Sequence, residues 1–152
     1  MVNLTAKENT LVSDLKEQEK LCIEKYRHYA QRACDNRLKN LFQQMEQHEN
    51  HHLQMLDQMT QGQIPQWNEN AQQGQQEHCS CENTCSQQDW QQDKFLCQDA
   101  LSMEKHVSSV YDTSVFEFCQ KELRDALNWI QKQEQQHGEM LYQYMKENGM
   151  YN

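Results

Sequence analysis

The chain has 152 residues, long enough for one domain with a core of its own. Its net charge of −9 argues against nucleic acid as a partner, and its mean hydropathy of −1.12, with no apolar run near the roughly 20 residues a bilayer span needs, argues against a membrane. Only 4 Gly and 1 Pro, against many Gln, Glu, Lys, Leu and Met, predict an all-α fold. The opening stretch "MVNLTAKENT" has no apolar signal region, so cytoplasmic synthesis is expected. The 7 Cys are many for such a compartment, and an odd number cannot all pair within one chain.

Thr5 and Glu8 form a candidate capping box for a first helix, whose apolar stripe runs through Leu11, Leu15, Cys22, Tyr26, Tyr29 and Ala33. "CDN" at 34–36 reads as a tight turn, with Asp35 the candidate cap of a second helix carrying Leu38, Leu41, Met45, Leu56 and Met59. Gly62, Pro65 and Gly74 then open a Gln-rich connection over about 61–88 without periodicity. Asp89 is the candidate cap of a third helix, with Leu96, Ala100, Val107, Tyr111, Val115 and Phe118. After a break near Cys119 a fourth helix carries Leu123, Leu127, Ile130, Leu141 and Tyr144, and Lys146 and Gly149 suit its end.

The two halves align without a gap at an offset of 85 residues. Identities fall at Leu11/Leu96, Asp14/Asp99, Glu19/Glu104, Lys20/Lys105, Tyr26/Tyr111, Cys34/Cys119 and Leu38/Leu123. They continue at Glu49/Glu134, His52/His137, Met55/Met140, Leu56/Leu141 and Gln58/Gln143. A duplicated helical hairpin predicts a four-helix bundle: one domain over 1–152, with hairpin one at about 6–60 and hairpin two at about 89–147. The connection of roughly 30 residues far exceeds an ordinary loop and can run back along a helix about 37 Å long. Helices two and three can then be parallel, which is the ferritin-like topology with one long crossover.

Each apolar stripe is interrupted near its middle by an acid: Glu19, Glu49, Glu104 and Glu134. His52 and His137 follow the second and fourth of these by three positions, one turn along the same face. Buried charges of this kind cost several kcal/mol each unless paired or bound to metal. Four ionised Glu and two neutral His are balanced by two divalent cations, and Glu from two helices with Glu-x-x-His from the other two is a known dinuclear carboxylate pattern. Oxygen and imidazole ligands suit iron or manganese, and zinc could also bind. Tyr26 and Tyr111 lie seven residues after their helix Glu, so each is expected to hydrogen-bond a ligand carboxylate from a neighbouring helix. Glu24, Glu46, His28, His48, His51 and His106 fit solvated faces.

"HCSCENTC" gathers His78, Cys79, Cys81 and Cys85, soft ligands for zinc or a cuprous ion, though without the spacing of common zinc sites. Disulfides between chains and reduced thiols on a loop are the alternatives. Cys34 and Cys119 fall at hairpin turns that the crossover topology puts at opposite ends, so these two are not expected to bridge.

Glu19-x6-Tyr26, Glu49-x-x-His52, Glu104-x6-Tyr111 and Glu134-x-x-His137 resemble the paired motifs of the ferritin and rubrerythrin superfamily. "LTAKE", "CIEKYRHYA", "LKNLFQQMEQHENHHLQML", "YDTSVFEF" and "NGMYN" resemble, more narrowly, the Coat F type spore coat proteins. The resemblance implies a place in the spore coat, with other coat proteins or further copies of the chain as partners, and a metal pair that reacts with dioxygen or peroxide. A structural coat component without turnover, assembled through the Gln- and Cys-rich connection, is the alternative. Lys16 and Leu101 stand where rubrerythrins carry an extra carboxylate, and no rubredoxin-like cysteine pattern is present.

Overall fold

A computed structural model describes residues 1–70 and 84–151. Four helices follow in order: α1 (Ala6–Arg32), α2 (Asn36–Thr60), α3 (Gln87–Val115) and α4 (Lys121–Glu147). Their starts are set by local chemistry. The Thr5 hydroxyl accepts from the Glu8 N–H while the Glu8 carboxylate accepts from the Thr5 N–H, closing the expected capping box. Asp35 caps α2 through the Arg37 N–H. The third helix starts earlier than expected. Ser86 is its cap, and Asp89 is the reciprocal acid of a second capping box, because Ser-x-x-Asp satisfies two backbone donors where a lone Asp would satisfy one. Helix α2 ends on Gly62, at φ +77°, and α4 on Gly149, at φ +67°, positions where a side chain would be strained.

Helix α1 packs against α2 and α3, and α4 packs against α3 and α2. Contacts between the hairpins fix their direction. Along α1 and α3, Lys7 meets Glu117, Tyr26 meets Glu104, and the turn after α1, at Cys34, meets Asp93. Along α2 and α4, Arg37 meets Glu147 and His52 meets Glu134. Both pairs are antiparallel, so α2 and α3 run parallel, as the length of the connection allows. Part of that connection is seen against the bundle: Trp67 packs on Trp129 of α4, ring centroids 6.3 Å apart. No described helix is long and apolar enough to cross a membrane.

The duplication is a spatial two-fold in its contacts as well as its sequence. Buried Glu8 of α1 reaches across to the turn before α4 and accepts from the Cys119 N–H at 2.9 Å. Its equivalent, buried Asp93 of α3, accepts from the N–H groups of Cys34 and Asp35 at 2.9 and 3.0 Å. Each hairpin thus holds the other's turn by a buried carboxylate. Sequence identity misses this pair because Glu and Asp differ in length while keeping the chemistry.

The thiol cluster does not stand as expected. Cys85 is disulfide-bonded to Cys34, with Cα atoms 6.0 Å apart, which ties the end of the crossover to the α1–α2 turn and removes Cys85 from any thiolate metal site. The reason is placement: the crossover delivers Cys85 beside that turn immediately before the α3 cap. His78, Cys79 and Cys81 lie outside the described residues. Cys34 and Cys119 do not bridge, and Cys119 is free and exposed.

Replacing Asp93 with Ala strips two backbone donors of a charged acceptor. It should lower unfolding free energy by about 2–3 kcal/mol in urea titrations of the metal-free protein. Asp93→Glu should recover part of that loss.

Candidate metal centre

All six ligand-type residues meet in the middle of the bundle, and none is more than 2 % exposed. Their stripe positions force this: each lies on the face its helix turns to the other three, among Leu15, Met45, Ala100 and Ile130, all fully buried. Two groups of four donors form, one from Glu19, Glu49, His52 and Glu134 and the other from Glu49, Glu104, Glu134 and His137. Within each, the donor atoms lie within 4.8 Å of one another. Glu49 and Glu134 belong to both groups, whereas Glu19 with His52 and Glu104 with His137 each belong to one.

Both imidazoles aim Nδ1 inward. His52 Nδ1 is 2.9 Å from Glu49 Oε2 and 3.0 Å from Glu134 Oε1, the second contact lacking hydrogen-bond alignment. His137 Nδ1 is 3.1 Å from Glu49 Oε1 and 3.3 Å from Glu104 Oε1. The Tyr26 hydroxyl donates to Glu104 and the Tyr111 hydroxyl to Glu19, so the expected tyrosine contacts form reciprocally between α1 and α3. Burial raises both phenols, aided by those carboxylates, so they stay protonated donors.

The set fits metal ions on its own chemistry. Glu19 Oε2, Glu104 Oε2 and both oxygens of Glu134 are buried without a hydrogen-bond partner, and the ion-pair partners of the four carboxylates among the described residues are imidazoles only. Native interiors rarely leave so many acceptors unsatisfied in one place. Without metal the group balances itself with protons. Burial raises Glu19, reinforced by Glu49 and Glu134, and burial with Glu134 raises Glu104, so these two hold protons. Burial also acts to raise Glu49 and Glu134, but their close approach to the neighbouring carboxyls and both imidazoles prevails and holds both below the ordinary carboxylate value. Burial would lower both histidines. The carboxylates around them outweigh it, pushing His52 up to about 9 and His137 well above its ordinary value.

One histidine assigned from sequence to a solvated face belongs here. The His48 ring lies edge to edge with that of His137, ring planes 9° apart, with Nδ1 2.9 Å from His137 Nε2, and burial together with the charge of His137 pushes it down to about 4. Its position one residue before Glu49 put it off the stripe. Only the close approach of α4 half-buries that flank. Trp129 was likewise unassigned; its ring stands edge-on to His52 at 5.9 Å. His51 touches the same Trp129 ring, while His28 and His106 are exposed as expected.

Residues 92–152 match the Coat F domain, a stretch that runs from within α3 to the C-terminus and includes Glu104, Tyr111, Glu134 and His137. No curated protein and no solved structure matches the chain.

The proton inventory sets a pH dependence. His52 holds its proton more tightly folded, at about 9, than at the ordinary 6.5, so the stability it contributes is present below 6.5 and is lost as pH rises through 9. Glu19 and Glu104, raised when folded, act in the same direction, because the unfolded chain releases protons that the folded chain retains. The metal-free protein should therefore melt at falling temperature from pH 6.5 to 9. Filling the site with two divalent ions should displace about four protons, two from carboxyls and two from imidazoliums, measurable as buffer-dependent heat in calorimetry. Release of fewer than about two would contradict this protonation pattern.

Proposed function

We propose that Glu19, Glu49, His52, Glu104, Glu134 and His137 bind two iron or manganese ions, and that the protein uses them to react with dioxygen or peroxide in the spore coat. The observation that carries the reading is the set of orphaned carboxylate oxygens, buried with inward-facing Nδ1 atoms and lacking any Lys or Arg counter-charge. The oxygen-rich donor set favours iron or manganese over zinc. When bound, such ions supply electron-transfer chemistry towards a small oxidant that no side chain here supplies.

The chain's own contribution is positional and electrostatic. Glu49 and Glu134, reachable from both donor groups, would be shared between the ions, and Glu19 with His52 and Glu104 with His137 would each serve one. Tyr111 and Tyr26 hold one oxygen of Glu19 and of Glu104 and leave the other oxygen without a protein partner. Fully buried Val12, Leu15, Met45, Ala100 and Ile130 keep bulk water out, so charge changes at the centre are weakly screened. The match of residues 92–152 to the Coat F domain supports placement in the spore coat, where other coat proteins or further copies of the chain would be the partners.

A structural coat component without turnover is the second reading. One observation favours it: the α3–α4 turn presents the exposed ring of Phe116 close in sequence to the free thiol of Cys119, a contact and cross-link point. Cys85, held in its disulfide, cannot serve that purpose as a free thiol.

The protein produced with iron, and separately with manganese, should carry about two ions per chain and consume peroxide or oxidise ferrous iron. Glu49→Ala and Glu134→Ala should each lose both ions, the activity and the rise in melting temperature that metal confers, since metal binding free energy is also folding free energy. Two retained ions in either variant would overturn the ligand assignment. Two ions without oxidant consumption would select the structural reading.

A further inference from the structure

The two-fold between the hairpins fails at a position directly beside the ligands. The residue before Glu49 is His48, and its equivalent before Glu134 is Gln133. The consequence is an unequal pair of imidazoles. His137 turns Nδ1 to Glu49 and Glu104 and has His48 Nδ1 at 2.9 Å from its Nε2, with the two ring planes 9° apart and their centroids 5.1 Å apart. His52 turns Nδ1 to Glu49, but its Nε2 is buried without a hydrogen-bond partner. Gln133, which the two-fold assigns to the Nε2 side of His52, is also buried, and its Oε1 has no partner either. Its amide nitrogen is turned to Gln136 at 3.4 Å instead.

We propose that His48 is a positioning residue that makes the two halves of the centre unequal. By accepting the Nε2–H of His137 on its own Nδ1, it holds His137 in the tautomer whose Nδ1 lone pair faces inward. The half built on Glu104 and His137 then takes a divalent ion before, and more tightly than, the half built on Glu19 and His52. The proposal rests on the metal-binding reading above. The physical ground is general: a ligand imidazole whose second nitrogen donates to a fixed acceptor is oriented and made more basic, and losing such an acceptor weakens metal affinity about 10–100-fold. Among the described residues His52 Nε2 lacks that acceptor, and the amide of Gln133, the two-fold equivalent of His48, is turned to Gln136.

The test is titration of the metal-free full chain with Co2+, followed by its visible absorption and by competition with a chelator, with melting temperature recorded for every variant. The wild type should bind two ions in separable steps. His48→Gln gives both halves the same neighbour. It should weaken the first step about 10–100-fold, leave the second unchanged and bring the two together. His48→Phe keeps an aromatic ring beside His137 but removes the acceptor nitrogen, so it should behave like His48→Gln. Gln133→His should tighten the weaker step instead. If His48→Phe binds both ions as the wild type does, His48 only packs and the proposal fails while the metal centre stands. If the wild type takes up both ions in a single step that His48→Gln does not alter, the halves are equal and the proposal likewise fails. If the wild type binds no Co2+, the metal reading falls and takes this proposal with it.

Discussion

Four carboxyl groups at the centre of a bundle repel one another and lose their hydration on burial. Everything around them is arranged to make that tolerable. The arrangement works by reciprocity. Tyr26 of α1 holds Glu104 of α3, and Tyr111 of α3 holds Glu19 of α1. His52 of α2 approaches Glu134 of α4, and His137 of α4 approaches Glu49 of α2. Each hairpin reaches some of its own acids through its histidine, His52 to Glu49 and His137 to Glu104, but the tyrosine contacts to Glu19 and Glu104 form only across the two hairpins. Docking of the hairpins and assembly of the site are one event.

The same reciprocity operates at the two ends, where Glu8 and Asp93 each hold the opposite turn. These tethers fix the axial offset of one hairpin against the other. That offset brings the four mid-helix acids to one level, since a slip of one helical turn, about 5 Å, would separate them. The disulfide between Cys34 and Cys85 acts at one of these ends, beside Asp93 and the α1–α2 turn. Its counterpart Cys119 has no such partner. The crossover exists once per chain and therefore breaks the two-fold wherever it touches the bundle, at Cys34 and again at Trp129 through Trp67.

The proton balance and the metal reading are two descriptions of one electrostatic requirement. Protonating Glu19, Glu104, His52 and His137 leaves two carboxylates facing two imidazolium ions, which is formally neutral. Two divalent ions with four carboxylates and neutral imidazoles are neutral as well. A site that can exchange one balance for the other can be filled without creating a net buried charge. The orphaned oxygens show that protons satisfy the charge but not the hydrogen-bonding capacity.

The sequence by itself determined the four helices, the parallel α2 and α3, and the six residues that converge. Periodicity, cap residues and an exact 85-residue repeat are local or additive signals that survive without coordinates. Thr5, Asp35 and a contact from Tyr26 and Tyr111 to ligand carboxylates of a neighbouring helix were all readable in this way, while which carboxylate each tyrosine holds was not. Only the tertiary structure decided which flanking residues became interior. His48 and Trp129 sit at the margins of their stripes, and their burial depends on how closely α2 and α4 approach. It also decided the Glu8 and Asp93 tethers, which link groups more than 50 residues apart, and the pairing of Cys85 with Cys34, which depends on where the crossover lands. Helical pattern says which face of a helix points inward. It does not say how far round the face the neighbouring helix reaches, because that distance is set by packing between segments remote in the chain.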